Sequence, residues 1–231
     1  MKITWLGHAS FLLETETLRI ITDPYDPEDL KLAPVETAAD IVIRSSPDDI
    51  AHAYVDSIPP GFELLTATDF AGSSATAKGI EFKAIGALES LYRKGGYRDN
   101  ALYRFRLDGV EIAHMGDVGN SLDEEQLEFL SGTDLLFALA GGHPTIELDD
   151  LERVIEKVHP KMVIPMHFRV PGPEFFMLPV DEFVGRFPAE QVTRVGSESI
   201  SLDATDVKAL SPTPQIRILE AQNIKAPPRT V

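Results

Sequence analysis

At 231 residues, 43% hydrophobic and 25% charged, the chain has the length and composition of one globular domain with a sizeable core. It contains no Cys, which excludes disulfides, thiolate metal sites and a cysteine nucleophile, so soft-metal ligation falls to its 6 His. Its 21 Lys plus Arg against 37 Asp plus Glu give a net charge of -16, which repels polyanions and argues against a nucleic-acid partner.

The opening MKITWLGHASFLLET lacks the basic, apolar and small-residue succession of a signal peptide, and no apolar run reaches membrane-spanning length. A soluble cytoplasmic protein with no membrane partner is expected, homo-oligomerisation being open. Short runs rich in Ile, Val, Leu and Phe come first, at Lys2 to Leu6, Ser10 to Glu14, Leu18 to Thr22 and Asp40 to Arg44, and read as an antiparallel meander. Another strand is expected over Gly79 to Ala87. Leu102 to Leu107 and Val110 to His114 flank Asp108-Gly109, a dipeptide suited to a tight hairpin turn.

Ser121 with Glu124 predicts a capping box opening a helix that ends at Gly132. A buried strand over Leu135 to Ala140 follows. Thr145, Leu148, Leu151, Val154, Ile155 and Val158 then recur at helical spacing, Pro160 closes that helix, and Met162 to Pro165 returns as a strand. Strand, helix, strand is the pattern of a sheet covered by helices. Beyond Leu202 the prolines at 212, 214, 227 and 228 bracket one short β-like run, Gln215 to Leu219, and predict that 204–231 is an extended C-terminal arm on a 1–203 domain, docked on that domain or on a partner subunit.

Chemistry is sought where His, Asp or Glu stand at strand ends beside Gly, because loops on a rigid sheet carry most reactive groups. Four places qualify: Trp5-Leu6-Gly7-His8, Ile21-Thr22-Asp23-Pro24, Ala113-His114-Met115-Gly116-Asp117 and Ile164-Pro165-Met166-His167. With the Gly141-Gly142 turn before a helix, these short motifs, in this order and spacing, resemble the metallo-β-lactamase superfamily, in the branch of ascorbate-6-phosphate lactonase-like metal-dependent hydrolases. The resemblance covers roughly residues 1–203. It implies an α+β, four-layer αββα sandwich with one or two metal ions at the sheet edge that activate water. It assigns Asp117 to the bridging carboxylate and His167 to the last histidine ligand.

The signature His-x-His-x-Asp-His of that family is missing. Its four ligands fall on Ser46, Asp48, Ile50 and Ala51, with Asp49 and His52 each one residue off, and a further family histidine falls on Glu89. Two readings follow. Asp48, His52, Glu89, Asp117 and His167 form a variant, oxygen-rich site for one divalent ion, Mn, Mg or Zn, with Asp49 assisting proton transfer in the hydrolysis of a small ester, lactone or phosphoester. Alternatively the site is degenerate, and the domain serves as a non-catalytic ligand-binding or structural module.

Other polar groups carry plainer expectations. His8 reads as a structural or hydrogen-bonded group beside the site, Asp23 as a turn residue or a support of the site, and His114 as packed and hydrogen-bonded. His143 reads as a loop histidine or an anion contact, and His159 as a helix-end cation. Arg93, Lys94 and Arg98 read as solvated or as a grip on an anionic substrate, and Tyr92, Tyr97 and Phe168 as pocket wall or core. Ser46 lacks the surroundings of a serine nucleophile.

Overall fold

A computed structural model describes residues 1–47, 49–89, 99–171, 176–210, 212–222 and 224. The chain opens with β1 (Lys2–Gly7), β2 (Ser10–Glu14), β3 (Arg19–Thr22), β4 (Ile41–Arg44) and β5 (Glu63–Thr66). Next come β6 (Ser74–Ala77), β7 (Ile80–Ala87), β8 (Asn100–Leu107) and β9 (Val110–His114), then α1 (Glu124–Leu130), β10 (Leu135–Leu139), α2 (Leu148–Val158) and β11 (Met162–Met166). The last elements are α3 (Val180–Val184), β12 (Val192–Arg194), β13 (Ser199–Ser201), α4 (Ala204–Ala209) and β14 (Gln215–Ile218).

The strands form two mixed sheets, ordered β13-β1-β2-β3-β4-β5 and β12-β14-β11-β10-β9-β8-β7-β6. Side chains of a strand alternate between its faces. Ile3, Trp5, Phe11, Leu13, Ile20, Ile41 and Ile43 therefore join the main core with the second sheet, while Leu6, Leu12, Ile21 and Val42 point the other way. That outer face is closed by Tyr25, Leu30, Leu32, Val35 and Ile58, all from irregular segments, with the buried faces of α1 and α2 in the main core. Strands covered on both faces read as nearly unbroken apolar runs, as β10 (LLFAL) does.

The architecture is the expected sandwich, with local departures. The meander holds through β3, but β4 pairs parallel to β3, and β5 parallel to β4, because residues 23–40 cross over before the chain re-enters the sheet. The capping box is Asp123 with Gln126, two residues later than Ser121 with Glu124. Asp108 and Gly109 adopt φ of 47° and 79°, as a tight hairpin turn requires. The described part of 204–231 docks on the domain: β14 lies between β11 and β12, pairs parallel with both, and buries Ile216 and Ile218. No helix among the described residues is long and apolar enough to cross a membrane.

This topology places the candidate residues. Strands β1, β3 and β4 run the same way, as do β9, β10 and β11, so His8, Asp23, Ser45, Asp117 and His167 all follow carboxyl ends of strands. Hydrogen bonds tie the sheets together there, among them the His167 amide to the His8 carbonyl at 3.0 Å, His114 Nε2 to the Ala9 carbonyl at 2.9 Å and the Ala101 amide to the Ser45 carbonyl at 3.0 Å.

Candidate metal centre

Three of the residues at this edge hold a left-handed backbone: His8 at φ 53°, Asp23 at φ 36° and His167 at φ 54°. Outside glycine and turn residues that conformation costs about 1–3 kcal/mol and collects at functional sites. Glycines make the close approaches. A Cβ on Gly116 would fall 2.6 Å from Asn100 Oδ1 and 2.7 Å from the Ala101 carbonyl, and one on Gly141 would fall 2.1 Å from the His167 carbonyl. Gly116 lets the chain turn so that the Asp117 amide donates to Asn100 Oδ1 at 3.1 Å.

Asp23 is fully buried and accepts four hydrogen bonds. Its Oδ1 takes the Ser45 amide at 2.9 Å and Tyr103 Oη at 3.0 Å, and its Oδ2 takes Ser45 Oγ at 2.6 Å and His52 Nδ1 at 3.0 Å. A carboxylate only accepts, so His52 Nδ1 keeps a proton and the ring turns Nε2 toward the site, where a metal ion would take the place of a second proton. The loop bearing His52 is braced by the Asp26 amide on Ile50 and the Tyr54 amide on Pro24.

His52 Nε2 lies 3.4 Å from Asp117 Oδ1, and His167 Nε2 lies 3.3 Å from the same oxygen. His52 Nε2 and His167 Nδ1 are buried and make no hydrogen bond among the described residues. His8 joins them, its ring centroid 3.9 Å from that of His167 and 4.9 Å from that of His52. Potential ligand atoms of His8, His52 and His167 all lie within 4.8 Å of one another, as do those of Asp49, His52 and Asp117. Imidazole nitrogens without hydrogen bonds, packed against carboxylates at a sheet edge, are the donor set of a divalent transition ion.

The electrostatics agree. Burial pushes the His52 pKa down, but Asp117, the hydrogen bond to Asp23 and the charge of Asp49 outweigh it and raise the value to about 10. Burial, then the charges of its neighbouring histidines, hold His8 well below 6.5, and burial, then His52, does the same for His167. Asp23 is lowered despite burial, through His114, His52 and Ser45. The carboxylates thus draw a positive charge into the pocket while two of its imidazoles stay neutral and able to donate to a metal.

Of the residues singled out from the sequence, the structure brings His52, Asp117 and His167 together, with Asp49 beside them. Asp48 lies outside the described residues, as do Tyr92, Arg93, Lys94, Tyr97 and Arg98. Glu89 is half-buried, its amide donating to Asp99 Oδ1, and it is in neither ligand group. His114 is satisfied on both nitrogens, Nδ1 accepting from the Gly116 amide at 3.0 Å while Nε2 donates to Ala9, as a structural histidine should be. His143 and His159 are exposed, and His159 caps α2 in a left-handed conformation. Ser46 Oγ accepts the Asp49 amide at 3.2 Å and so shapes the loop turn. His8, expected as a structural or hydrogen-bonded group beside the site, lies within the histidine cluster; its position after Gly7 at a strand end is the signal the sequence carries for it.

Residues 2–167 match the family described as Beta-lactamase superfamily domain. A UPF0173 metal-dependent hydrolase of Carboxydothermus hydrogenoformans is 27% identical over 204 residues, covering 73% of this chain and 84% of the relative. One from Thermoplasma acidophilum is 28% identical over 188 residues, covering 73% and 83%. Among solved structures, a protein of the metallo-β-lactamase superfamily from Thermotoga maritima superposes with a TM-score of 0.71 at 28% identity, covering 94% of this chain and 97% of its own. Two face-to-face sheets, a residue cluster at their shared edge and a family match running from β1 to His167 converge: this chain belongs to the metallo-β-lactamase superfamily.

Proposed function

We propose that the protein is a metal-dependent hydrolase of a small ester, lactone or phosphoester, using one divalent ion held by His52, Asp117 and His167. The observation that carries this reading is the convergence of two imidazole Nε2 atoms, at 3.4 and 3.3 Å, on one oxygen of Asp117. A divalent ion held there would supply Lewis acidity and lower the pKa of a bound water toward neutrality. Asp23 holds His52 in the tautomer that leaves Nε2 free to donate, and Asp49, half-buried beside His52 and Asp117, is placed to take a proton from the attacking water. The names of the relatives support hydrolysis without indicating a substrate. The net charge of -16 supports a small molecule over a nucleic acid.

The test is elemental analysis of protein purified without chelator, followed by a panel of chromogenic esters, lactones and phosphoesters with and without added Zn, Mn or Mg. Stoichiometric metal, turnover abolished by chelation, and a loss of about 100-fold or more in Asp117→Ala and His167→Ala are expected. Protein that takes up no metal and turns nothing over would leave a ligand-binding module as the better account. A gel shift at low salt should show no salt-sensitive retention of RNA or duplex DNA.

A further inference from the structure

The geometry points to His8 as the third imidazole ligand of a single ion, which completes a site of three histidines and Asp117 and selects zinc over the hard, oxygen-preferring cations. This assignment rests on the metal-dependent reading above and extends it to the ligand set, the ion count and the ion's identity.

The first argument is placement. His8 and His167 follow the ends of β1 and β11 and His52 stands in the loop between β4 and β5, yet their potential ligand atoms lie within 4.8 Å of one another. The His8 and His167 rings are held in register by the backbone itself, because the His167 amide donates to the His8 carbonyl at 3.0 Å and both residues turn through the left-handed region. A tetrahedral ion with bonds of about 2.0–2.1 Å keeps its ligand atoms roughly 3.4 Å apart. The two separations measured from Asp117 Oδ1, 3.4 Å to His52 and 3.3 Å to His167, already match that edge.

The second argument concerns number. Two ligand groups can be drawn, His8 with His52 and His167, and Asp49 with His52 and Asp117, and both include His52. Asp23 occupies Nδ1 of that ring, so His52 has a single lone pair, on Nε2, and serves a single ion. The two groups therefore describe one metal position with alternative outer ligands, not two positions.

The third argument is chemical. A set of three imidazole nitrogens and one carboxylate oxygen is suited to zinc, whereas Mg and Ca demand oxygen. The oxygen-rich set expected from the sequence drew on Asp48 and Glu89. Glu89 is outside both groups, and His8 supplies nitrogen instead.

The experiment measures zinc, cobalt and manganese uptake by competition with a chromophoric chelator in the unaltered protein, in His8→Asn and in His143→Asn. Asn tolerates the left-handed backbone of position 8 while removing the imidazole, and His143 is an exposed control. We expect one zinc per chain, binding at least 100-fold tighter than manganese. His8→Asn should weaken zinc by more than the roughly 10–100-fold that an outer-shell partner is worth, and should shift the cobalt absorption bands; His143→Asn should change neither. Spin-echo spectroscopy of the copper-loaded unaltered protein should count three imidazoles, a readout that needs no variant to fold. Two tightly held zinc ions, two imidazoles, or unchanged affinity and cobalt bands in His8→Asn would overturn the assignment while leaving a metalloenzyme in place. No uptake of any ion would overturn both it and the hydrolase reading.

Discussion

Replacing Asp23 by Asn changes no shape and removes one acceptor. Each Asp23 oxygen takes two donors, the Ser45 amide and Tyr103 hydroxyl at one, the Ser45 hydroxyl and His52 Nδ1 at the other. The amide NH2 of Asn must face one of these pairs. Facing Ser45 Oγ and His52 is the cheaper choice, because the hydroxyl can rotate to accept and the imidazole can give up its Nδ1 proton and keep the one on Nε2, whereas the Ser45 amide can do neither. That choice takes the Nε2 lone pair away from the metal position. At about 1–3 kcal/mol for each compromised buried donor, Asp23→Asn should lose roughly 2–4 kcal/mol of stability after partial rearrangement. Metal affinity should fall about 10–100-fold. Tyr103→Phe is the comparison: it removes one donor from Oδ1, leaves the His52 tautomer alone, and should cost about 1 kcal/mol with metal affinity unchanged. Urea unfolding of the metal-free proteins and zinc titration measure both quantities. If Asp23→Asn binds zinc as tightly as Tyr103→Phe does, the tautomer argument is wrong.

The His52 pKa, raised from 6.5 to about 10, sets a pH dependence for the metal-free protein. Its contribution is fully present below pH 6.5 and is lost as pH rises through 10, so stability should fall across that window by up to about 1.4 kcal/mol per unit. The metal-loaded protein should lack this slope, because the ion replaces the proton; unfolding at pH 7, 8 and 9 with and without zinc compares them. Gly141→Ala brings a Cβ to 2.1 Å from the His167 carbonyl, a backbone atom that cannot give without moving the ligand. It should destabilise by about 3 kcal/mol or more and weaken metal binding, both read from thermal melts with added zinc. His114→Phe strands the Ala9 carbonyl and the Gly116 amide, and should cost about 2–4 kcal/mol in denaturant melts while the folded fraction binds zinc normally.

Local structure was legible where local chemistry decides it. Asp108-Gly109 announced its hairpin because its side chains and φ values are a property of two residues, and the spacing of Leu148, Leu151, Val154, Ile155 and Val158 announced α2 because a helix buries one stripe. The capping box was misplaced by two residues because the pattern of a short polar residue followed three later by Glu or Gln occurs in overlapping frames, and packing selected the one that lets Gln126 also reach the Gly86 carbonyl. Strand direction was not legible at β4, since residues 23–40 carry no periodic signal of a crossover, nor was the insertion of β14, whose pairing partners are distant in sequence.

The candidate site divides in the same way. Asp117 and His167 stood out by residue type at strand ends beside recognisable motifs, and His52 by lying one residue from a lost ligand position. His8 reads as a ligand only when the two sheets meet, because its carbonyl and ring lie against a residue 159 positions away in the chain. Residue type alone determines which side chains could donate to a metal. Which of them share one ion is decided by the tertiary structure, because donor atoms must come within a few ångströms of one another and only the packing of distant strand ends sets those distances.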